Sequence, residues 1–450
     1  MIAAGADSME STPDFWKSAV VYQISLRSFT REGTFKAASA MLPHIKSTGA
    51  TFVYLCPFFT MDTDMNRSGW SERQIKSGFE TPKNPYRIMD YTEVDPEYGN
   101  DADAKAFTDH AHELGLKVIF DLVYLHCGPN NVIRKAIPDA FQKNEDGSVR
   151  TTIWNFPYIN FDSAATREYL YANMTHFAKD IGCDGFRCDV GDEVPLDFWA
   201  EGFRRMREIN PDFIAVNEGR KTEYLSVFDA NYGWGWSFGL RNVFKGKEKL
   251  SDVIKWQKEY VSQCPSEPFD LFFMENHDIS TDDWENRFDR IYPVECGNAL
   301  FTAIYLSRGI PVVYNGNEIA DNAMMSFFGP VENPYRAFKT VDWGRALQFE
   351  GHKRLSLLQK LAELRRTVPT LQEGSMNFMN NSAPESILSF VRTAKNGTKV
   401  FVSINVTGNK IDFCLEHHPS GNMLLSEGIS FDGTWHAEPY GFFADICMTK

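Results

Sequence analysis

This chain of 450 residues predicts an α/β fold: a (β/α)8 TIM barrel with a short insert after strand 3 and a C-terminal antiparallel β domain. Three observations carry that prediction. Short, continuous apolar runs alternate with helix-like stretches through most of the chain, as expected when helices cover a parallel sheet. The runs number eight, the count that closes a barrel. Beyond residue 375 the pattern changes to alternating runs such as SILSFVRT and KVFVSIN, punctuated by Asn-Gly and Asp-Gly turns.

The strand candidates, in order, are 19–26 (AVVYQISL), 51–56 (TFVYLC), 116–123 (LKVIFDLV), 184–190 (DGFRCDV), 213–217 (FIAVN), 227–231 (VFDAN), 270–275 (DLFFME) and 310–314 (IPVVY). Helical stretches are expected at 34–47, 101–114, 165–179, 195–209 and 355–366. The alternative is an open doubly wound sheet, but no Gly-x-Gly-x-x-Gly follows the first strand. Residues 124–160, rich in Pro, Asn and Gly, interrupt the alternation as a small excursion over the barrel mouth. The expected domains are therefore 1–375, the barrel with its insert, and 376–450, the antiparallel β domain.

Composition narrows the function. A net charge of −14 argues against a general nucleic-acid binder, which needs a basic footprint. No apolar run is long enough to span a membrane. The first residues, MIAAGADSMESTPDFW, lack the basic start and apolar core of a signal peptide. Eight scattered cysteines without a metal-type C-x-x-C pair lean towards a reducing, cytoplasmic compartment, with a periplasmic or secreted protein whose leader was removed as the alternative. Aromatic residues at 14% serve either a large core or flat platforms for sugar rings. The oligomeric state is not readable.

Polar residues gather at the C-terminal ends of the strand candidates. Asp121 follows VIF, Arg187 and Asp189 end the fourth run, Glu218 follows FIAVN, and His277 and Asp278 follow LFFMEN. One strand-end aspartate alone is usually a turn former; four clusters at one end are what barrel enzymes build sites from. Two carboxyls on neighbouring strands, Asp189 and Glu218, suit glycoside cleavage, one as nucleophile and one as general acid. Arg187, beside Asp189, is expected to lower that carboxyl's pKa and keep it ionised. Glu218 has to be raised to act as an acid, which burial and neighbouring carboxylates can do. Asp278 adds negative charge for an oxocarbenium-like transition state. His126 and His277 are read as sugar-binding rather than structural. No HExxH or paired-ligand spacing supports a zinc site. Tyr86, in NPYRIMDY, is either loop packing or a flat face for a sugar ring.

These residues also carry a resemblance. The chain resembles the α-amylase family of glycoside hydrolases over nearly all its length. DLVYLH (121–126) matches the family's D-x-V-x-N-H motif in all but one position, GFRCD (185–189) its second motif, VNEG (216–219) its third and MENHD (274–278) its fourth. LPHIKSTGATFVYLCP, NPYRIMDYTEVDPEYG and GIPVVYNGNE resemble its second-strand, loop and eighth-strand segments. The resemblance implies a retaining mechanism on α-glucosidic bonds, with Asp189 as nucleophile, Glu218 as acid/base and Asp278 as transition-state stabiliser. It implies Arg187 as support for Asp189, Asp121 as a brace, and Tyr86, His126 and His277 around the sugar, Tyr86 as its stacking platform.

Three departures qualify that reading. Leu125 replaces an asparagine that in many members binds structural calcium, and leucine offers a hard cation no oxygen, so no cofactor is expected. VGDEVPLDFW (190–199) is closest to the neopullulanase and cyclomaltodextrinase pattern, which points to an α-glucan or oligosaccharide substrate. Gly219-Arg220-Lys221 departs from the aromatic residue those enzymes place after the acid, which leaves acceptor-side specificity open. A transglycosylase or isomerase on the same scaffold, or a non-catalytic carbohydrate-binding barrel, are the competing functions.

Overall fold

The structure, a computed structural model, describes residues 13–329, 340–416 and 418–448. Eight parallel strands form the barrel: β1 Val21–Ile24, β2 Phe52–Leu55, β3 Lys117–Leu122, β4 Gly185–Cys188, β5 Ile214–Asn217, β6 Ala230–Asn231, β7 Leu271–Phe273 and β8 Ile310–Tyr314. Each falls inside an expected run. They hydrogen-bond in the order β6-β5-β4-β3-β2-β1-β8-β7, and a parallel bridge from Tyr232 to Leu271 joins the two ends into a ring. Neighbours in the ring are neighbours in sequence, as right-handed βαβ connections require.

Inward residues two apart fill the barrel. Val21, Phe52, Ile119, Ile214, Ala230, Leu271 and Ile310 share one buried cluster, closed from below by Trp16, whose ring meets Phe52 edge-on at 5.0 Å. The outer faces of the strands pack on the helices. α1 Phe35–Ser47 begins at Thr34, whose hydroxyl accepts the Ala37 N–H; α2 Asp101–Glu113 begins with a reciprocal cap between Asn100 and Asp103. α3 Ala164–Thr175 is capped by Ser163, and the chain then widens into a π-helical turn, His176–Ile181, that ends at left-handed Gly182. α4 Leu196–Ile209 buries Phe198, Trp199, Phe203 and Met206 along one stripe.

The sixth strand is shorter than its run. Val227 and Phe228 both donate to the Tyr224 carbonyl, closing a 3-10 turn, so pairing starts only at Ala230. The fourth strand also ends early, because Val190 turns into the left-handed region at φ 43°.

The insert is held by isolated bridges, among them His126 with Tyr158 and Thr151 with Pro157. A six-stranded antiparallel sheet follows: β9 Ser375–Phe378, β10 Ile387–Thr393, β11 Lys399–Asn405, β12 Ile411–Phe413, β13 Met423–Phe431 and β14 Trp435–Cys447. Its Arg392 is fully buried and donates to the carbonyls of Leu306, Ser307 and Gly374, which stitches the sheet onto the buried C-terminal end of the barrel helix Val294–Leu306.

Candidate active site

Two residues above the apolar layer, the inward row becomes polar: Gln23 on β1, Tyr54 on β2, Asp121 on β3 and Arg187 on β4, all buried. The register places Asp121 directly beside Arg187. Tyr54 Oη donates to Asp121 Oδ2 at 2.6 Å, and Arg187 Nη1 donates to both Asp121 oxygens at 2.7 and 2.9 Å. Gln23 Nε2 meets His277 Nδ1 at 2.7 Å. These side chains form a hydrogen-bonded polar floor, in which Gln23 Oε1 and Arg187 Nε are left without a hydrogen-bond partner.

Arg187 also holds the two carboxyls above the floor. Its Nη1 lies 3.0 Å from Asp189 Oδ1 and its Nη2 lies 2.7 Å from Glu218 Oε2. A β-branched residue in the left-handed region is an outlier, and here it does a job: Val190 turns its N–H onto Glu218 Oε2 at 2.9 Å. His126 Nε2 lies 3.6 Å from Asp189 Oδ2. Tyr86 Oη donates to Asp121 Oδ2 at 3.1 Å and sits 2.6 Å from His277 Nε2, which in turn is 3.2 Å from Asp278 Oδ2. With Gln23 donating to Nδ1, His277 carries its proton on Nε2. All eight residues expected from the sequence thus meet at the C-terminal end of the barrel.

One expectation needs correction. Arg187 does not hold Asp189 low. Burial and the adjacent Glu218 push the Asp189 carboxyl up, and Arg187 opposes them without prevailing, because one guanidinium serves Asp121, Asp189 and Glu218 together. Burial also lifts Glu218, against Arg187 and with help from Asp278, to about 7. The Asp189–Glu218 pair therefore keeps one proton between its members near neutral pH. Asp278 is the ionised partner: burial would raise it, but His277, Arg73 and Arg187 hold it down at about 2. Burial keeps His126 and His277 neutral, both lowered to about 3. The Tyr86 ring runs nearly parallel to that of His277, centroids 5.3 Å apart and planes 12° apart, with its Oη on His277 Nε2 at 2.6 Å, so the two rings lie side by side and Tyr86 lines the cavity.

Some site residues were not foreseen. The cavity over the carboxyls holds about 80 Å³ and is lined also by Arg73, Trp154, Phe156 and Phe327. Gln23 and Tyr54 were legible in principle, each two residues beyond an inward apolar position in its strand; Arg73 and Trp154 lie in segments with no periodicity to read. Cavities of about 500 and 510 Å³ lie elsewhere, the first beneath the N-terminal ends of β5 to β7, away from the end where barrel sites are built.

Two of the three departures from the motif pattern, the 190–199 run and Gly219–Lys221, touch each other. Asp192 Oδ2 accepts the Arg220 N–H at 2.8 Å, and Lys221 Nζ donates to the Asp192 carbonyl at 2.6 Å. A Cβ on Gly219 would stand 2.4 Å from Asp192 Cγ, so an aromatic residue there is incompatible with this latch. The position of Leu125 does not fit calcium. Its side chain is buried in the apolar core and its carbonyl accepts the Ile159 N–H. Among the described residues, no three His, Cys, Asp or Glu side chains gather to hold a metal ion.

Comparison with known proteins agrees with this geometry. Residues 7–147 match the family described as "Alpha amylase, catalytic domain". The chain is 24% identical to Neopullulanase 2 of Thermoactinomyces vulgaris, over 91% of this chain and 73% of that protein. It is 26% identical to the maltogenic alpha-amylase of Bacillus acidopullulyticus over 73% of this chain, and there it spans only 58% of the relative's length. Among solved structures, an alpha-amylase from Lactobacillus plantarum superposes with a TM-score of 0.78 at 23% identity, covering 97% of this chain and 100% of that one.

Proposed function

We propose that the chain is a member of the α-amylase family and a retaining glycoside hydrolase of α-glucosidic bonds in α-glucans or maltooligosaccharides. The observation that carries this reading is the single guanidinium of Arg187, which spans Asp189 at 3.0 Å and Glu218 at 2.7 Å. Two carboxyls held by one guanidinium face the same space at the barrel mouth, within reach of one sugar, which accords with the close pair that goes with retention.

In this reading Asp189 attacks the anomeric carbon while Glu218 gives its proton to the departing glycosidic oxygen, leaving a glycosyl ester on Asp189. Water then attacks the same carbon, Glu218 takes its proton, and Asp189 leaves. The proton shared by the pair sits on Glu218 in the competent form. Asp278, ionised, faces the positive charge that develops on the sugar. His126 and His277, neutral, bond sugar hydroxyls without adding positive charge. The wider alternative, a sugar hydroxyl in place of water, uses the same ester.

Incubation with amylose, pullulan, cyclodextrin, maltotriose, sucrose and trehalose, followed by chromatography, identifies the substrate. Proton NMR of the first product then reads its anomer, which is α under this reading; a β product removes the double displacement.

The pH dependence follows from Glu218. Its carboxyl must be protonated for the first step, so kcat/KM falls as pH rises past about 7. With α-glucosyl fluoride, whose leaving group needs no proton, that alkaline limb flattens. An unchanged limb with the fluoride assigns the titration to another group.

A further inference from the structure

The latch between the turns that follow β4 and β5 borders Glu218. Ile214 and Val216 point into the barrel, so Glu218 continues their inward row at the end of β5. Its carboxyl is fixed from the β4 side, by Arg187 Nη2 at 2.7 Å and the Val190 N–H at 2.9 Å. Its own N–H extends the ladder by one bond, to the Cys188 carbonyl at 3.0 Å. The strand then ends, and the N–H groups of Arg220 and Lys221 turn onto a single atom, Asp192 Oδ2, at 2.8 and 3.3 Å. Lys221 answers through its side chain: Nζ donates to the Asp192 carbonyl at 2.6 Å and lies 3.1 Å from Glu193 Oε1. Tyr224 adds a second tie, its Oη donating to the Val194 carbonyl at 2.8 Å.

These contacts close a ring. It runs from the Glu218 carboxyl to the Val190 N–H, through Gly191 to the Asp192 carboxylate, then to the Arg220 N–H and back through Gly219 to Glu218. The closeness of the two turns requires both glycines. A Cβ on Gly191 would stand 2.5 Å from Asn217 Oδ1, and one on Gly219 would stand 2.4 Å from Asp192 Cγ. The Gly191 carbonyl accepts the Trp199 indole N–H at 2.9 Å, which ties the ring to α4. Val190, at φ 43°, keeps its left-handed conformation only where the surroundings over-determine it. Asp192 lies two residues beyond it and supplies that constraint from across the gap between the turns. A carboxylate that accepts backbone N–H groups makes a stronger tie than a neutral acceptor. Asp192 thus holds both the backbone that carries Glu218 and the turn whose N–H orients the Glu218 carboxyl. It is not among the residues that line the cavity over the carboxyls.

We propose that Asp192 is a positioning residue for proton donation: by latching the turn after Glu218 to the turn after Asp189, it sets where the Glu218 proton is delivered. This rests on the hydrolase reading above, in which Glu218 protonates the departing oxygen. Misplacing such a group by about 1 Å costs about 100-fold in rate. The cost falls on substrates whose leaving group needs the proton and spares those whose leaving group departs without it.

Phenyl α-maltoside and p-nitrophenyl α-maltoside separate the two cases, because their aglycones are similar in size and differ in how much they need a proton. In Asp192→Ala, kcat/KM falls about 30-fold or more on the phenyl substrate, and the loss is at least about tenfold smaller on the p-nitrophenyl one. Asp192→Asn keeps an oxygen for the two N–H groups and recovers most of the phenyl activity. Lys221→Met removes only the return bonds of an exposed side chain, and its loss is greater on the phenyl substrate by about threefold or more. That variant carries the test if a thermal melt shows that Asp192→Ala does not fold. Equal losses on the two maltosides in every folded variant, or no loss in any, overturn the positioning role and leave the hydrolase reading standing, since neither sugar binding nor a weakened fold depends on the leaving group. A parent that releases neither phenol and leaves maltotriose intact overturns the hydrolase reading, and the positioning role with it.

Discussion

Asp189→Asn is expected to lower kcat by about 10⁴-fold or more while leaving the melting temperature equal to or slightly above that of the parent. The amide has nearly the shape of the carboxyl, and its oxygen still accepts from Arg187 Nη1, now at 3.0 Å. What it lacks is a nucleophilic oxygen. The stability sign follows from the direction of the shift. Burial and Glu218 raise the Asp189 carboxyl in the folded chain, so its favourable contribution is complete only below its unfolded pKa and is lost as pH rises through the folded value. At neutral pH, an uncharged side chain in that place relieves repulsion from Glu218, Asp121 and Asp278. Steady-state kinetics and a thermal melt at pH 7 check both halves. Turnover near that of the parent removes Asp189 as nucleophile; a melt many degrees lower means that its charge was holding the fold.

The barrel was legible because its strands are buried on both faces. They read as continuous apolar runs, and the helices between them announce themselves through Thr34, Asn100 and Ser163 at their caps. The strand-end carboxyls were legible for the same reason: a charge directly after an apolar run has few places to be except the barrel rim. What failed was anything that depends on more than a pair. Reading Arg187 beside Asp189 gave a lowered carboxyl, whereas the folded chain brings Asp121 and Glu218 to the same guanidinium and reverses the sign. Arg73 was invisible because its partners lie about 200 residues further along, a separation that no local pattern spans. The early end of β4 is a case of local preference overridden. Val190 belongs in a strand by propensity, and tertiary contact with Glu218 holds it in a turn instead.

Replacing Arg187 by methionine should cost about 3–5 kcal/mol of stability at neutral pH, the usual penalty for removing one partner from a buried ionic cluster. Arg187 is fully buried, bonds Asp121 and Asp189 through Nη1 and Glu218 through Nη2, and lies 5.2 Å from the ring of Tyr232. Methionine fills much of that volume but neutralises nothing. Arg187 lowers all three carboxyls, so its loss moves each of them further up. Groups raised in this way favour the folded state when protonated and disfavour it once they ionise. The variant should therefore lie close to the parent at pH 5 and fall progressively behind it towards pH 8, in melts recorded across that range. Arg187→Lys restores a charge but not the span, because one ammonium cannot replace a planar fork that reaches Asp189 and Glu218 from separate nitrogens. It should recover part of the stability and little of the turnover. A constant gap between variant and parent from pH 5 to pH 8 contradicts the account, since packing loss alone carries no proton. The growth of that gap with pH is thus the measurable mark of three carboxyls sharing one cation, the arrangement that also leaves Glu218 a proton to give.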